Sequence, residues 1–257
     1  MKKVHNRYKI LSIEKVCDRF ICVHLDAPLL AKTGKPGQFV NVRIQDTLDP
    51  FFRRPFGIYR VVDKTIKMLI EIRGKGTSLL AGKKPGDFID VLGPLGKTFT
   101  PPAQKVKNVV LIAGGIGIAP LIAIAETLRN SGKNIFLLYG AKDKSYMFDF
   151  SQIRKDGCSV HIATDDGSAG SKGQVSTLFD LIPLNREETF IYTCGPNAMM
   201  KSVQQFAKQH GLSGECSCEE IMACGTGACL GCVVNTVEGY KTACHDGPVF
   251  DLEKVIF

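Results

Sequence analysis

The sequence predicts an antiparallel β-barrel joined to a doubly wound α/β unit and a small cysteine-rich tail. Three observations carry this expectation. Short β-type runs punctuated by Gly and Pro fill the chain up to about residue 100. From Asn108 onward, wholly apolar strands alternate with helical runs. Six of the ten cysteines lie within the last 42 residues.

With 257 residues, 44% hydrophobic and 23% charged, the chain is long enough for two domains and has a globular composition. No apolar run approaches the roughly 18 residues that cross a bilayer, and MKKVHNRYKI lacks the apolar core of an export signal. No membrane partner is expected, and the expected location is the cytoplasm. The 33 Lys and Arg against 25 Asp and Glu leave +8, which suits phosphate-bearing cofactors. With no Lys/Arg block and no Trp, a nucleic-acid partner is disfavoured.

The expected strands of the first unit, residues 1–100, include Phe20 to Leu25, Phe39 to Ile44, Ile66 to Ile72 and Phe88 to Leu92, with KPGQ and KKPGD as turns. Pro101-Pro102 marks a linker into the second unit, residues 101–212. There VVLIA, a glycine turn, an amphipathic run from Pro120 to Arg129 and IFLLYG read as strand, helix and strand of a parallel sheet. SVHIAT, a helix near Ser176 to Leu181, FIYTCG and a helix from Ala198 to His210 continue the alternation. The remainder, residues 213–257, is too short to bury a core of its own and needs a staple, for which a metal centre is the natural choice.

In that tail Cys224, Cys229, Cys232 and Cys244 follow the C-x4-C-x2-C…C spacing of plant-type [2Fe–2S] proteins. Gly225, Gly227, Ala228 and Gly231 keep the loop small enough to wrap the cluster and to turn N–H groups toward sulfur. A zinc staple is the alternative, although it would more naturally show two C-x2-C knuckles or histidine ligands. Cys216 and Cys218, on alternate residues of an extended segment, are expected to pack and not to ligate.

AGGIGIAPL follows a buried strand and opens a helix, so Gly114, Gly115, Gly117 and Pro120 are candidates for a pyrophosphate site at a helix N-terminus. The third glycine of the dinucleotide fingerprint is replaced by Pro120, which is itself a helix-starting device. Cys194, Gly195 and Pro196 end a later strand on the same carboxyl edge, where such sheets bind ligands. Asp165 and Asp166 end another; they suit ribose hydroxyls and repel a 2′-phosphate, which favours NADH over NADPH. In the barrel, Arg53 and Arg54 precede a proline and Gly74, Gly76 and Thr77 follow about twenty residues later. A guanidinium and a Gly-Thr turn together are able to grip an oxyanion.

The order R-P-F-G-I, G-x-G-T, G-G-I-G-I-A-P-L, C-G-P and a C-terminal cluster loop resembles the ferredoxin reductase superfamily over nearly the full chain. With EEIMACGTGACLGC and a D-G-P-V-F ending it is most similar to the electron-transfer subunits of class 1B dihydroorotate dehydrogenases. The resemblance implies FAD on the barrel, held by Arg54, Pro55, Phe56 and Gly57, by Leu69, Ile70 and Glu71, and by Gly76 and Thr77. It implies NADH over Gly114 to Pro120 with Cys194 near the nicotinamide. It also implies a catalytic partner carrying FMN, in a heterotetramer of two of each subunit, that interconverts orotate and dihydroorotate in pyrimidine biosynthesis. Gly57 departs from the family's usual Ser or Thr, which removes a hydroxyl near the flavin. Related small subunits of a hydrogenase, a sulfide dehydrogenase or a ferredoxin:NADP transhydrogenase share this motif order. A zinc-stapled nucleotide-binding interaction protein is a reading of another class. No Ser/His/Asp or paired-carboxylate constellation is present.

Overall fold

A computed structural model describes residues 3–257. The first sheet comprises β1 (Val4–Lys15), β2 (Phe20–Asp26), β3 (Phe39–Arg43), β4 (Arg54–Gly57), β5 (Arg60–Val62), β6 (Thr65–Glu71) and β7 (Phe88–Leu95). Its seven strands are antiparallel and run in the order β4-β3-β7-β1-β2-β6-β5. Alternate residues such as Tyr8, Ile10, Val40, Val42, Ile66, Met68 and Ile70 face the barrel core, which the short helices α1 (Pro28–Thr33) and α2 (Lys75–Ala81) cover through Leu30 and Leu80.

The alternation fails in β2 and β6, where consecutive residues are buried on both faces. Phe20, Cys22 and Leu69 point out of the barrel and belong to the core of the second unit, with Ala113, Ile118 and Tyr139. Two buried faces mean two layers of protein, and this seam joins barrel to α/β unit. Arg60 of β5 and Glu126 add an ion pair of 2.6 Å across the junction.

The second unit comprises β8 (Asn108–Gly114), α3 (Ile118–Thr127), β9 (Asn134–Ala141), α4 (Ser151–Lys155), β10 (Cys158–Thr164), β11 (Ser171–Lys172), β12 (Thr189–Cys194), α5 (Asn197–His210) and β13 (Ser213–Ser217). The hairpin β14 (Val233–Thr236) and β15 (Gly239–Thr242) follows, and β16 (Val249–Asp251) returns antiparallel to β13. The order β11-β10-β9-β8-β12-β13-β16 places β8 at the centre, buried on both faces, and reverses direction of travel between β8 and β12.

Some details differ from the periodicity. α3 begins at Ile118, so Pro120 falls within its first turn, where a missing N–H removes no helical bond. Val175–Leu181 forms a 3-10 helix and no α-helix, because Ile182 precedes Pro183 and must be extended. The tail also does not stand alone: β13 and β16 extend the parallel sheet, and Cys232, Val234, Ala243, Leu252 and Val255 share a core with Val110, Ile112, Met200 and Val203.

Candidate functional site

Two adjoining cavities open where barrel, α/β unit and tail meet. The larger, about 550 Å³, lies over the carboxyl edge of the parallel sheet and is lined by Gly114, Gly115, Gly117, Asp165, Gly195 and Pro196, with Glu71 and Arg73 from the barrel. The place that a Cβ would take at Gly115 is open space, so a ligand is able to approach the backbone there. The strand ends β8 and β12 are held together because Gly114 and Gly117 leave room for Pro196, Met199 and the Cys194 peptide.

The smaller cavity, about 250 Å³, is walled by Pro55, Phe56, Gly57, Leu69, Ile70, Glu71 and Thr77 on the barrel side and by Pro120 and Cys194 on the other. A Cβ at Gly57 would meet nothing within 4 Å. An apolar slot bounded by an exposed β-strand edge and by one buried thiol suits a flat ring system. Burial pushes the Cys194 thiol well above its ordinary range, which keeps it a neutral, compact wall.

Most of the sequence-predicted residues therefore converge on one connected space. Arg54 and Gly76 are brought together beside it: Gly76 leaves its Cβ position 3.2 Å from Arg54 Nε, and Arg54 Nη1 donates to the carbonyls of Phe52 and Arg53. Thr77 Oγ1 accepts the Arg73 and Gly74 N–H groups at 3.0 and 3.2 Å. The adjacent aspartates separate: Asp165 faces the larger cavity, whereas Asp166 Oδ1 accepts the Ser168 N–H and hydroxyl at 2.9 and 2.6 Å.

The tail supplies walls that residue-by-residue reading missed. Ser217, Cys218, Glu219, Glu220 and Met222 line the smaller cavity, and Glu219 lines both, as do Glu71, Arg73 and Ile116. Glu219 keeps exposed surface at the cavity mouth; the protein packed around its carboxyl raises it above the ordinary range, and the nearby Arg73 guanidinium offsets part of that rise. Arg73 Nε pairs with Glu71 Oε2 at 2.8 Å. The one sequence signal for these carboxylates is their place at the head of the cysteine motif.

In the cysteine loop the ligand candidates meet in pairs, Cys229 directing its N–H at Cys224 Sγ and Cys244 its N–H at Cys232 Sγ. Against the upward push of burial, the N–H groups of Thr226 and Cys229, each 3.4 Å from Cys224 Sγ, bring that thiol down to about 6. Cys244 Sγ accepts the Gly227 N–H at 3.1 Å and Cys232 Sγ accepts the Cys244 N–H at 3.4 Å, while burial and the Cys232 thiol hold Cys244 up at about 12. Gly225, with φ of +68°, makes the turn that aims these donors. Among the described residues no three His, Cys, Asp or Glu side chains gather as they would around a single ion. Two thiol pairs fit two irons, each taking two thiolates, and N–H donors on the sulfurs fit their charge. Cys232 and Cys244 are buried and Cys229 is exposed, so one end of the site faces inward and the other outward. Cys216 and Cys218 are both buried, their sulfurs 4.0 Å apart.

Residues 219–256 match the family model for the iron–sulfur cluster binding domain of dihydroorotate dehydrogenase B, and residues 111–205 match that for the oxidoreductase NAD-binding domain. The dihydroorotate dehydrogenase B (NAD(+)) electron transfer subunit of Desulforamulus reducens is 39% identical, covering 100% of both chains. The chain belongs to this family of electron transfer subunits. The family member from Geobacillus thermodenitrificans is 36% identical over 97% of this chain and 98% of its own length. A solved structure reported for flavin-based electron bifurcation by the NADH-dependent reduced ferredoxin-NADP oxidoreductase superposes with a TM-score of 0.86 at 32% identity, covering 97% of this chain and 89% of that one. As an electron transfer subunit of this family, the chain is a flavin iron–sulfur oxidoreductase subunit whose cofactors are FAD, a [2Fe–2S] cluster and NAD(H).

Proposed function

We propose that the chain carries electrons between NAD(H) and the FMN-bearing catalytic subunit of a dihydroorotate dehydrogenase B, in a cytoplasmic assembly of two copies of each subunit. The observation that carries the reading is the shared wall of Glu71, Arg73, Ile116 and Glu219, which gives a nicotinamide site and a flavin site a common boundary. When bound, the flavin takes two electrons as a hydride and releases them singly, and the cluster carries one at a time.

The chain's own part is placement. Gly114, Gly115 and Gly117 with Gly195 and Pro196 present backbone to the NADH phosphates, and Asp165 accepts from the adenosine ribose. Arg54 and the Gly76-Thr77 turn hold the FAD pyrophosphate by charge-assisted bonds. Pro55, Phe56 and Gly57 with Leu69, Ile70 and Glu71 bound the flavin ring on one face. Pro120 and Cys194 close the other and exclude water. Cys224, Cys229, Cys232 and Cys244 hold the cluster, with the exposed Cys229 side toward the partner.

The test is co-expression with the catalytic subunit from the same organism. Size-exclusion chromatography with mass measurement is expected to give the two-plus-two complex, carrying flavin and iron–sulfur absorption and reducing orotate with NADH. A colourless protein, or one that ignores the catalytic subunit, sinks the reading. The 32% identity to the ferredoxin-NADP oxidoreductase structure favours a second reading, a subunit of such an oxidoreductase. NADP-dependent ferredoxin reduction by the natively purified complex, without orotate reduction, would select it.

A further inference from the structure

Asn41 is a polar residue with no exposed surface, on β3 of the barrel, and its side chain meets the cysteine loop. Its Nδ2 donates to the Cys224 carbonyl oxygen at 3.3 Å, and Oδ1 has no hydrogen-bond partner. The contact is close: a Cβ on Gly225 would lie 2.4 Å from Nδ2. An apolar side chain would fill this place without leaving a buried acceptor unmet, so packing alone does not account for an amide here.

The same residue is tied to the flavin side. Asn41 pairs with Pro55 of β4, and Pro55, Phe56 and Gly57 wall the smaller cavity. Its carbonyl accepts Arg53 Nη1 at 3.3 Å, and Arg53 is in turn fixed by Asp90 at 2.8 Å. One residue therefore joins the strand beside the proposed flavin site to the backbone of a proposed cluster ligand.

We propose that Asn41 is a positioning residue that holds the Cys224 end of the cluster loop against the flavin-bearing strand. In doing so it fixes the environment of the cluster and the rate at which electrons reach it. Each transfer removes one electron from the reduced flavin and turns one ferric iron ferrous. Per NADH two electrons pass in turn, the partner emptying the cluster between them, and one proton goes to water. No bond to Asn41 forms or breaks. The inference rests on the functional reading above, which places flavin and cluster at these two sites.

The experiment uses the full-length holoprotein with Asn41→Leu, which matches the heavy-atom count and Cγ branching of Asn but is unable to donate, and Asn41→Asp, which sets an acceptor against the Cys224 carbonyl. Both are expected to keep FAD and its reduction by NADH in stopped flow. The electron paramagnetic resonance spectrum of the reduced cluster is expected to shift. Iron loss to a chelator should quicken, and flavin-to-cluster transfer slow, by about 10- to 100-fold, as for other outer-shell partners of metal ligands. Loss of iron with FAD retained also supports the proposal. Wild-type spectra, chelation and transfer rates in both variants overturn it, as does loss of FAD together with iron, which would mark general misfolding. If the wild-type protein itself shows no reduced-cluster signal, the functional reading fails and takes this inference with it.

Discussion

Gly117 lies against the peptide of Cys194 so closely that a Cβ on the glycine would stand 2.3 Å from the Cys194 carbonyl oxygen and 2.7 Å from the Gly195 nitrogen. The ends of β8 and β12 meet there, under the larger cavity, and both partners of the clash are backbone. Gly117→Ala must therefore push the two strand ends apart, at about 1–3 kcal/mol. Thermal denaturation is expected to show the loss and calorimetry a weaker NADH. An unchanged melting temperature would show that the turn adapts freely.

Asp165 and Asp166 differ in their surroundings. Asp165 looks into the cavity, while Asp166 is engaged by Ser168 in its own turn, which lowers its carboxyl below the usual range. Asp165→Ser should reduce the preference for NADH over NADPH by about 10- to 100-fold, the value of one charge-assisted hydrogen bond. Asp166→Ser should leave that ratio unchanged. Comparing kcat/KM for both cofactors in both variants decides it, and the reverse pattern would reassign the ribose contact.

Gly57 lies on β4 and lines the smaller cavity. It sits outside the left-handed region, and its Cβ position meets nothing within 4 Å. Gly57→Ser is expected to fold as the wild type does, within about 0.5 kcal/mol, and to retain FAD. The added hydroxyl should alter the rate of flavin reduction by NADH in stopped flow. Loss of flavin would show that the ring occupies the space.

Much of this arrangement was legible in residue order, and the rest was not for physical reasons. Strand and turn signals up to residue 100, and the apolar strands after Asn108, reported local propensity and pattern. Asp165 and Asp166 are alike in sequence, and only the Ser168 turn separates them. Glu71 and Glu219 line both cavities although 148 positions apart, a meeting that depends on the tail folding back over the barrel. The double burial of Phe20, Cys22 and Leu69 was written in their unbroken apolar runs, yet it names no partner surface until the second unit is in place.

Glu215 is buried on β13, its Oε2 accepting the Thr100 N–H at 2.9 Å. Burial raises its carboxyl above the ordinary Glu value, the Thr100 bond offsets part of this, and Asp251 adds to the rise. The folded chain thus holds the proton more tightly than the unfolded one. The stability this contributes is complete below the ordinary Glu value of 4.5 and is lost as pH climbs through the raised value. Glu215→Gln keeps the acceptor and has no charge to develop. Its melting temperature should match the wild type in acid and exceed it at neutral pH. A wild type more stable than the variant at neutral pH would mean that the ionised carboxylate is stabilised at this site.

Cys229 lies at the exposed end of the cysteine loop and Cys232 at the buried end, which makes electron delivery separable from hydride capture. The walls of both cavities come from the barrel, the α/β unit and residues 217–222 with Pro248, none of them the four cysteines. Cys229→Ser exchanges a soft thiolate for a harder, poorer ligand at the outward end. It leaves intact the backbone N–H that Cys229 directs at Cys224 Sγ. The variant is expected to lose or weaken its cluster and to keep FAD, and NADH should still bleach the bound flavin in stopped flow. In the complex with the catalytic subunit, NADH-linked orotate reduction should collapse. Because a structural cluster contributes to folding, gel filtration of the variant complex comes first, so that failed assembly is not taken for failed transfer. Cys232→Ser, at the buried end beside Val234 and Ala243, should go further and lower the melting temperature of the whole chain. If the assembled, cluster-free Cys229→Ser complex still couples NADH to orotate at the wild-type rate, electrons reach the partner by another route and the four cysteines serve the fold alone.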